Sequence, residues 1–222
     1  LECDDGMYYV TKFQENPQGR RILVNELLSW FILERLGFAV PEAVLVHVTQ
    51  DFLLANPGVC VEVHGHRRTI TPGHHFGSAL AANPASEPVY DFLPDTLLNC
   101  VQNLCEAIGV FAFDRWVANC DFRQLVFLRS NAYASDVSRG PGYLCRVIDH
   151  GQAFNGSEWN YCQQSLSALY PRRVLYQGVR SIEDFQPWLD MVTGFPEELL
   201  WHAVSQLPEE WLCKGERKQL EL

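Results

Sequence analysis

Apolar positions along this chain follow two periods. Over residues 7–13 (Met7-Tyr8-Tyr9-Val10-Thr11-Lys12-Phe13) aromatic and β-branched residues predict a strand, and Asp4-Asp5-Gly6 before it reads as a hairpin turn. A turn in that place implies an earlier strand of which the sequence holds only the end. Residues 21–36 change period: Ile22, Leu23, Leu27, Trp30, Phe31 and Leu36 recur at three- and four-residue spacing until Gly37 and Pro41 stop them. A helix is predicted there, with Glu26 in its second turn beside the apolar stripe. Residues 43–48 predict a second strand, completing a small β–α–β unit, and the alternation over 59–63 predicts another. His74-His75-Phe76-Gly77-Ser78 reads as a flexible loop.

The proline-bearing stretches at 81–87 and 90–94 read as a linker, which puts a boundary between 75 and 95. Residues 95–118 are helical in pattern and apolar on more than one side, through Leu97, Leu98, Val101, Leu104, Ile108, Val110 and Phe113. That central helix delivers Asn119-Cys120-Asp121. Strands follow at 125–128 and 144–148, joined by a polar loop as a hairpin. Asp121 precedes the first strand and Asp149 follows the second, with Gly151 free to turn sharply, so both carboxylates are expected at one sheet end. Helical signals recur at 161–169, 182–192 and 197–206, and Pro208-Glu209-Glu210 opens a last short helix. Trp188, Trp201 and Trp211 fit packing among these helices.

Composition narrows the classes. At 222 residues the chain fits one large domain or two small lobes, and 47% hydrophobic with 20% charged residues is ordinary globular composition. A formal charge of −10 argues against a broad nucleic-acid or anionic-membrane surface, leaving at most a local basic pocket near Arg20-Arg21 or Arg172-Arg173. No apolar run approaches the ~20 residues of a membrane span, and no signal peptide is visible. The eight cysteines form no CxxC pair and several sit in apolar runs, which favours buried free thiols in a reducing cytoplasm, with disulfides the alternative. His64, His66, His74 and His75 lack regular ligand spacing and read as solvated loop residues.

Two carboxylates converging at one sheet end suit phosphoryl transfer, in which one orients the attacking hydroxyl and the other holds magnesium against the phosphates. Lys12 on a strand and Glu26 on the next helix match the ion pair that orients ATP phosphates in kinases. Each feature also has a plain reading: Asp-x-Gly and Asn-x-Asp are common turns, Lys12 an edge-strand charge, Glu26 a solvated helix residue.

Taken together, Tyr9-Val10-Thr11-Lys12-Phe13, Asn25-Glu26, Leu36-Gly37 through Val40-Pro41, Phe113-Asp114-Arg115-Trp116-Val117-Ala118-Asn119-Cys120-Asp121 and Ile148-Asp149-His150-Gly151-Gln152-Ala153-Phe154 resemble the HipA-like kinases, in particular a compact bacterial subgroup. The resemblance covers nearly the whole chain. It implies an α+β, two-lobed protein-kinase-like fold: a small β-rich N-terminal lobe with one helix over residues 1–85, and a mainly helical C-terminal lobe over 86–222. It further implies that Lys12 contacts ATP phosphates, that Glu26 pairs with Lys12, that Asp121 is the catalytic aspartate and that Asp149 binds magnesium. ATP and Mg would be the cofactors, a nucleotide and a protein substrate the partners, with no nucleic acid or membrane bound directly. Two positions depart from the family pattern. Phe122 stands where an arginine is usual, and Val126 stands where a metal-binding asparagine is usual, with Gln124 or Asn119 as candidate substitutes. The phosphate-covering segment expected ahead of the first strand is not in the chain. These departures keep open a second reading, a pseudokinase or nucleotide-binding interaction module.

Overall fold

The computed structural model describes residues 1–80, 88–122, 125–130, 142–160 and 170–220. The turn at Asp4-Asp5-Gly6 is as expected: Gly6 has φ +74°, the Met7 amide donates to Asp5 Oδ1, and Glu2 bridges Tyr8 antiparallel. It leads into β1 (Tyr9–Lys12). Helix α1 (Arg21–Arg35) is buried over most of its circumference, including the polar Asn25, Glu26 and Ser29. It ends as its sequence requires, with Gly37 at φ +78° and reverse bonds from the Gly37 amide to Glu34 O and from the Phe38 amide to Leu33 O. That pattern is a Schellman stop, open to glycine because the left-handed conformation costs it nothing.

Strand β2 (Ala43–Val48), helix α2 (Gln50–Ala55) and the hairpin of β3 (Cys60–Val63) with β4 (His66–Thr69) follow. The segment expected as a flexible loop is instead β5 (Gly73–Ala79), the middle strand of a sheet ordered β1-β5-β2, antiparallel to both neighbours. Strands β1 and β2 therefore flank β5 rather than each other. The strand is held by packing rather than propensity. At Gly77 an added Cβ would lie 2.5 Å from Val46 Cγ2 and 2.9 Å from Val44 Cγ2. The wholly buried His75 accepts from the Gln14 amide through Nδ1 and meets Thr71 O through Nε2, so both ring nitrogens are satisfied. Burial holds its pKa below the ordinary histidine value.

The chain enters a second three-stranded sheet at β6 (Val89–Tyr90). The single long helix expected over 95–118 is two, α3 (Asp95–Leu98) and α4 (Glu106–Trp116). Between them the backbone pairs sideways: Val101 bridges Tyr143, the Tyr143 amide donates to Cys100 O, and the Asn103 side chain holds both the amide and the carbonyl of Cys145. Those bonds outcompete helical ones, and apolar periodicity alone cannot register them. Strands β7 (Leu125–Ser130) and β8 (Gly142–Val147) form the expected antiparallel hairpin, with Leu125 opposite Val147.

Past Phe154, α5 (Gln186–Thr193), α6 (Glu197–Ser205) and α7 (Glu216–Leu220) are joined by 3-10 turns, one of them at Glu209–Trp211. The expected helix at 161–169 lies outside the described residues. Trp211 is fully buried with Nε1 on His74 O, whereas Trp201 is 41% exposed and bonds Glu197 on its own helix, so it is a surface residue. Three of the four arginines weighed as a basic pocket are engaged. Arg21 pairs with Glu216 over the Trp159 ring, Arg20 holds Glu210 O, and Arg172 pairs with Asp95. Cysteines among the described residues are free thiols, buried at Cys145 but exposed at Cys105 and Cys213. Among the described residues no helix is long and apolar enough to cross a membrane.

Helix α1 joins the two halves of the core. Leu23, Leu27 and Phe31 pack with Phe76 of β5 and with Val204, Leu207 and Trp211. Ile32, Leu33 and Leu36 pack with Phe113 of α4 and with Phe127 and Val147 of the second sheet. Asn25, Glu26 and Ser29 of this helix are therefore enclosed within the core.

Candidate functional site

Lys12, Glu26 and Asp149 meet. The Lys12 ammonium, at the end of β1, contacts Glu26 Oε1 of α1 and lies 2.5 Å from Asp149 Oδ1. Glu26 is 5% exposed rather than solvated, and its other oxygen accepts the His150 amide at 3.1 Å. Burial pulls the Lys12 pKa down, but the charges of Glu26 and Asp149 outweigh it and hold the ammonium above the ordinary lysine value. Burial raises Glu26, against the lowering effect of Lys12. Asp149 is the more open carboxylate; burial works to raise it, and Lys12 prevails to hold it below the usual aspartate value.

The triad sits on the wall of a cavity of about 270 Å³ whose other walls are mainly apolar, among them Val10, Leu33, Val40 and Phe76. Val126 and Val147 reach the same cavity from the β7–β8 hairpin. A larger cavity of about 400 Å³, between α1, α6 and residues 116–118, is lined by no titratable side chain. Of these two cavities, the smaller carries the titratable triad.

The strip after β8 is tightly constrained. Asp149 has φ +60°, and Phe154 and Asn155 also adopt left-handed conformations, costly for non-glycine residues and concentrated at functional sites in proteins. Gly151, expected to supply the sharp turn, has no positive φ; the turn falls on Asp149 instead. Glycine is required at 151 for close approach, because a Cβ there would lie 2.5 Å from Ile22 Cγ2 and 3.0 Å from Glu26 Oε1. Asn25, fully buried, ties the strip to α1. Its Nδ2 donates to the carbonyls of Gly151 (2.7 Å), Ala153 (2.9 Å) and Gly156 (2.8 Å), and its Oδ1 accepts from Trp159 Nε1.

Asp121 arrives on a second strip that runs beside the first. The Cys120 amide donates to Gln152 O, the Phe154 amide to Val117 O and the Asn155 amide to Ala118 O, with Ala118 itself at φ +49°. The Asp121 backbone amide is held by Asn119 Oδ1 at 3.1 Å, and its Oδ1 accepts from the Phe122 amide. Phe122 is half exposed. Asn119, weighed as a substitute metal ligand, is fully buried, its Nδ2 donating to Asp114 and its Oδ1 accepting from the Asp121 amide. Gln124 lies outside the described residues. Val126 offers no donor atom.

Among the described residues no three His, Cys, Asp or Glu side chains are grouped to hold a metal ion by themselves. Magnesium does not demand such a group, since it takes one or two carboxylates and completes its octahedron with phosphate and water. The open carboxylate of Asp149 fits that role.

Reasoning from sequence gave no role to Asn25, Asp114 or His150, and weighed Asn119 only as a substitute metal ligand. Asn25 did leave a signal, a polar residue with Glu26 inside an apolar helical run.

No curated protein sequence matches the chain. A family model described as HipA-like kinase matches residues 2–222, which is the whole length but for the first residue, and the chain belongs to that family.

Proposed function

We propose that this HipA-like kinase transfers the γ-phosphate of ATP to a hydroxyl of a protein or other substrate, within a two-lobed kinase-like fold divided near residue 85. The observation that carries the reading is the meeting of Lys12, Glu26 and Asp149 on the wall of a mainly apolar cavity, at the end of the hairpin where Asp121 also lies. The apolar walls suit a flat heterocycle, and Lys12 stands where phosphate oxygens would need a cation. Glu26, buried and anchored by the His150 amide, fixes the direction of the ammonium. Asp121 would accept the proton of the attacking hydroxyl. Magnesium accompanying the nucleotide would be held by Asp149 and would neutralise phosphate charge. Free thiols are in keeping with a cytoplasmic setting.

The test is transfer of labelled γ-phosphate to the protein itself or to lysate proteins, run beside Asp121→Ala and Asp149→Ala. Label in the wild type and its loss in both variants is the expected result; equal label in all three removes the proposal.

Val126, together with the commitment of Asn119 to other bonds, favours a second reading, a pseudokinase that binds nucleotide without turnover. A ligand selective for the folded state raises apparent stability by about 2.7 kcal/mol at a hundredfold excess over its Kd. A thermal shift with Mg-ATP but no transfer selects the pseudokinase, and no shift selects an interaction module.

A further inference from the structure

We infer that Asp114 is a positioning residue for the transfer, keeping the Asp121 strip in register with the Asp149 strip through Asn119 on one side and His150 on the other. The inference rests on Asp121 and Asp149 being the working pair. Asp114 is 1% exposed in the last turn of α4, next to Phe113 in the core. Stability gives no reason for a carboxylate there. Burial of a charge is costly, and the negative end of the helix dipole opposes an anion in a last turn.

Its contacts, a hydrogen bond to Asn119 and an ion-pair contact with His150, supply the reason. Oδ1 accepts from Asn119 Nδ2 at 2.8 Å and lies 3.3 Å from His150 Nε2, while the Asp114 carbonyl accepts the Asn119 amide at 2.8 Å. Asn119 passes the constraint to Asp121 through its Oδ1, and His150 passes it to the Lys12–Glu26 pair through its amide. The bracket grips the chain where it is strained. Ala118, at φ +49°, directly precedes Asn119, and Asp149, at φ +60°, directly precedes His150. Strained residues persist where surrounding bonds over-determine them. Even so, Asp114 Oδ2 and His150 Nε2 make no hydrogen bond among the described residues.

The experiment compares wild type, Asp114→Ala and Asp114→Asn by amide hydrogen exchange over residues 117–122 and 149–156, and by steady-state transfer kinetics. In Asp114→Ala both strips should exchange at least about tenfold faster. Its kcat should fall about 10- to 100-fold, with KM for ATP within about twofold of wild type. Asp114→Asn keeps an oxygen for Asn119 and should recover most of kcat. If Asp114→Ala does not fold, Asn119→Ser cuts the same link from the other side and must show the same pattern. Unchanged exchange in both strips overturns the inference. So does loosening without loss of kcat, or a loss appearing wholly in KM. A wild-type protein that transfers no label, while the variant loosens both strips together, overturns the kinase reading and supports the bracket.

Discussion

Gly151→Ala puts the geometry of the site under the most direct strain. The added methyl would sit 2.5 Å from Ile22 Cγ2, closer than real Cβ atoms come to any neighbour, and 3.0 Å from Glu26 Oε1. Ile22 cannot swing away, since it is 1% exposed and a β-branched side chain in a helix has one strongly preferred χ1. Either α1 or the Asp149 strip must move, and both carry the triad. Overpacking of this kind costs about 1–3 kcal/mol. At about 2–4 °C per kcal/mol for a chain of this size, the melting temperature should fall by roughly 2–12 °C. Mg-ATP affinity should fall as well, because Glu26 and Asp149 part from Lys12.

Ile22→Leu provides the internal check, because leucine has no Cγ2 branch at that position. In the double variant Ile22→Leu/Gly151→Ala the two changes should couple favourably by about 0.5–3 kcal/mol, measured by urea denaturation. Gly58→Ala is the control: nothing lies within 4 Å of its Cβ position and its φ is not positive. There alanine should be neutral or stabilise by about 0.4–1 kcal/mol through the unfolded chain. Gly151→Ala with stability within about 0.5 kcal/mol of wild type and undiminished affinity would refute the reasoning, because the strip could then shift without disturbing the triad.

Three further outcomes are expected. Lys12→Met should destabilise most near pH 7 and progressively less toward about pH 4–5. Burial raises Asp149 but Lys12 holds it low, so in the wild type it contributes stability above its unfolded pKa that is lost as pH falls through the folded one. Without Lys12 two carboxylates face each other until one takes a proton; a penalty flat in pH, measured by denaturation, contradicts this account. Val126→Asn should raise the transfer rate about tenfold or more if an oxygen ligand is the limiting part, and an unchanged rate would show that it is not. Asn25→Ala should cost about 3 kcal/mol or more by urea denaturation, since it strips three buried carbonyls and the Trp159 indole of their partner; a cost under about 1 kcal/mol would mean that those carbonyls find other donors.

The elements that sequence predicts well are those whose own periodicity carries them. Helix α1, β2 and the β7–β8 hairpin fall where the pattern puts them, because each has a long apolar stripe or a clean run. Strand β5 fails that test. His74, His75 and two glycines are poor strand formers, and only its neighbours on both sides make it a central strand. The break between α3 and α4 was hidden for a related reason, since Asn103 and Val101 are recruited by β8, which lies far along the chain. At the site, the meeting of Lys12 with Glu26 was expected from their elements, whereas the links of Asp114, Asn119 and His150 between the two strips were not. Sequence patterns report which faces are apolar, and these residues act through hydrogen bonds between segments that only the fold brings together.

The charge at the site sets a condition on any nucleotide. Lys12 brings one positive charge and Glu26 with Asp149 bring two negative ones, so the triad as it stands carries a net negative charge on the cavity wall. Asp121 sits on the neighbouring strip, and the whole chain carries −10. A bare triphosphate would meet repulsion there, stronger in a half-buried site than in water. Lys12 cannot answer both its carboxylates and the phosphates. A divalent cation on Asp149 would resolve the conflict by taking that carboxylate as its own ligand, leaving Lys12 to Glu26 and the phosphate oxygens. On the proposed kinase reading, the contact between Lys12 and Asp149 would give way to these two ligands when nucleotide and cation bind. The left-handed backbone of Asp149, held by Asn25 through Gly151 and by Glu26 through His150, keeps its carboxylate at the cavity in the meantime.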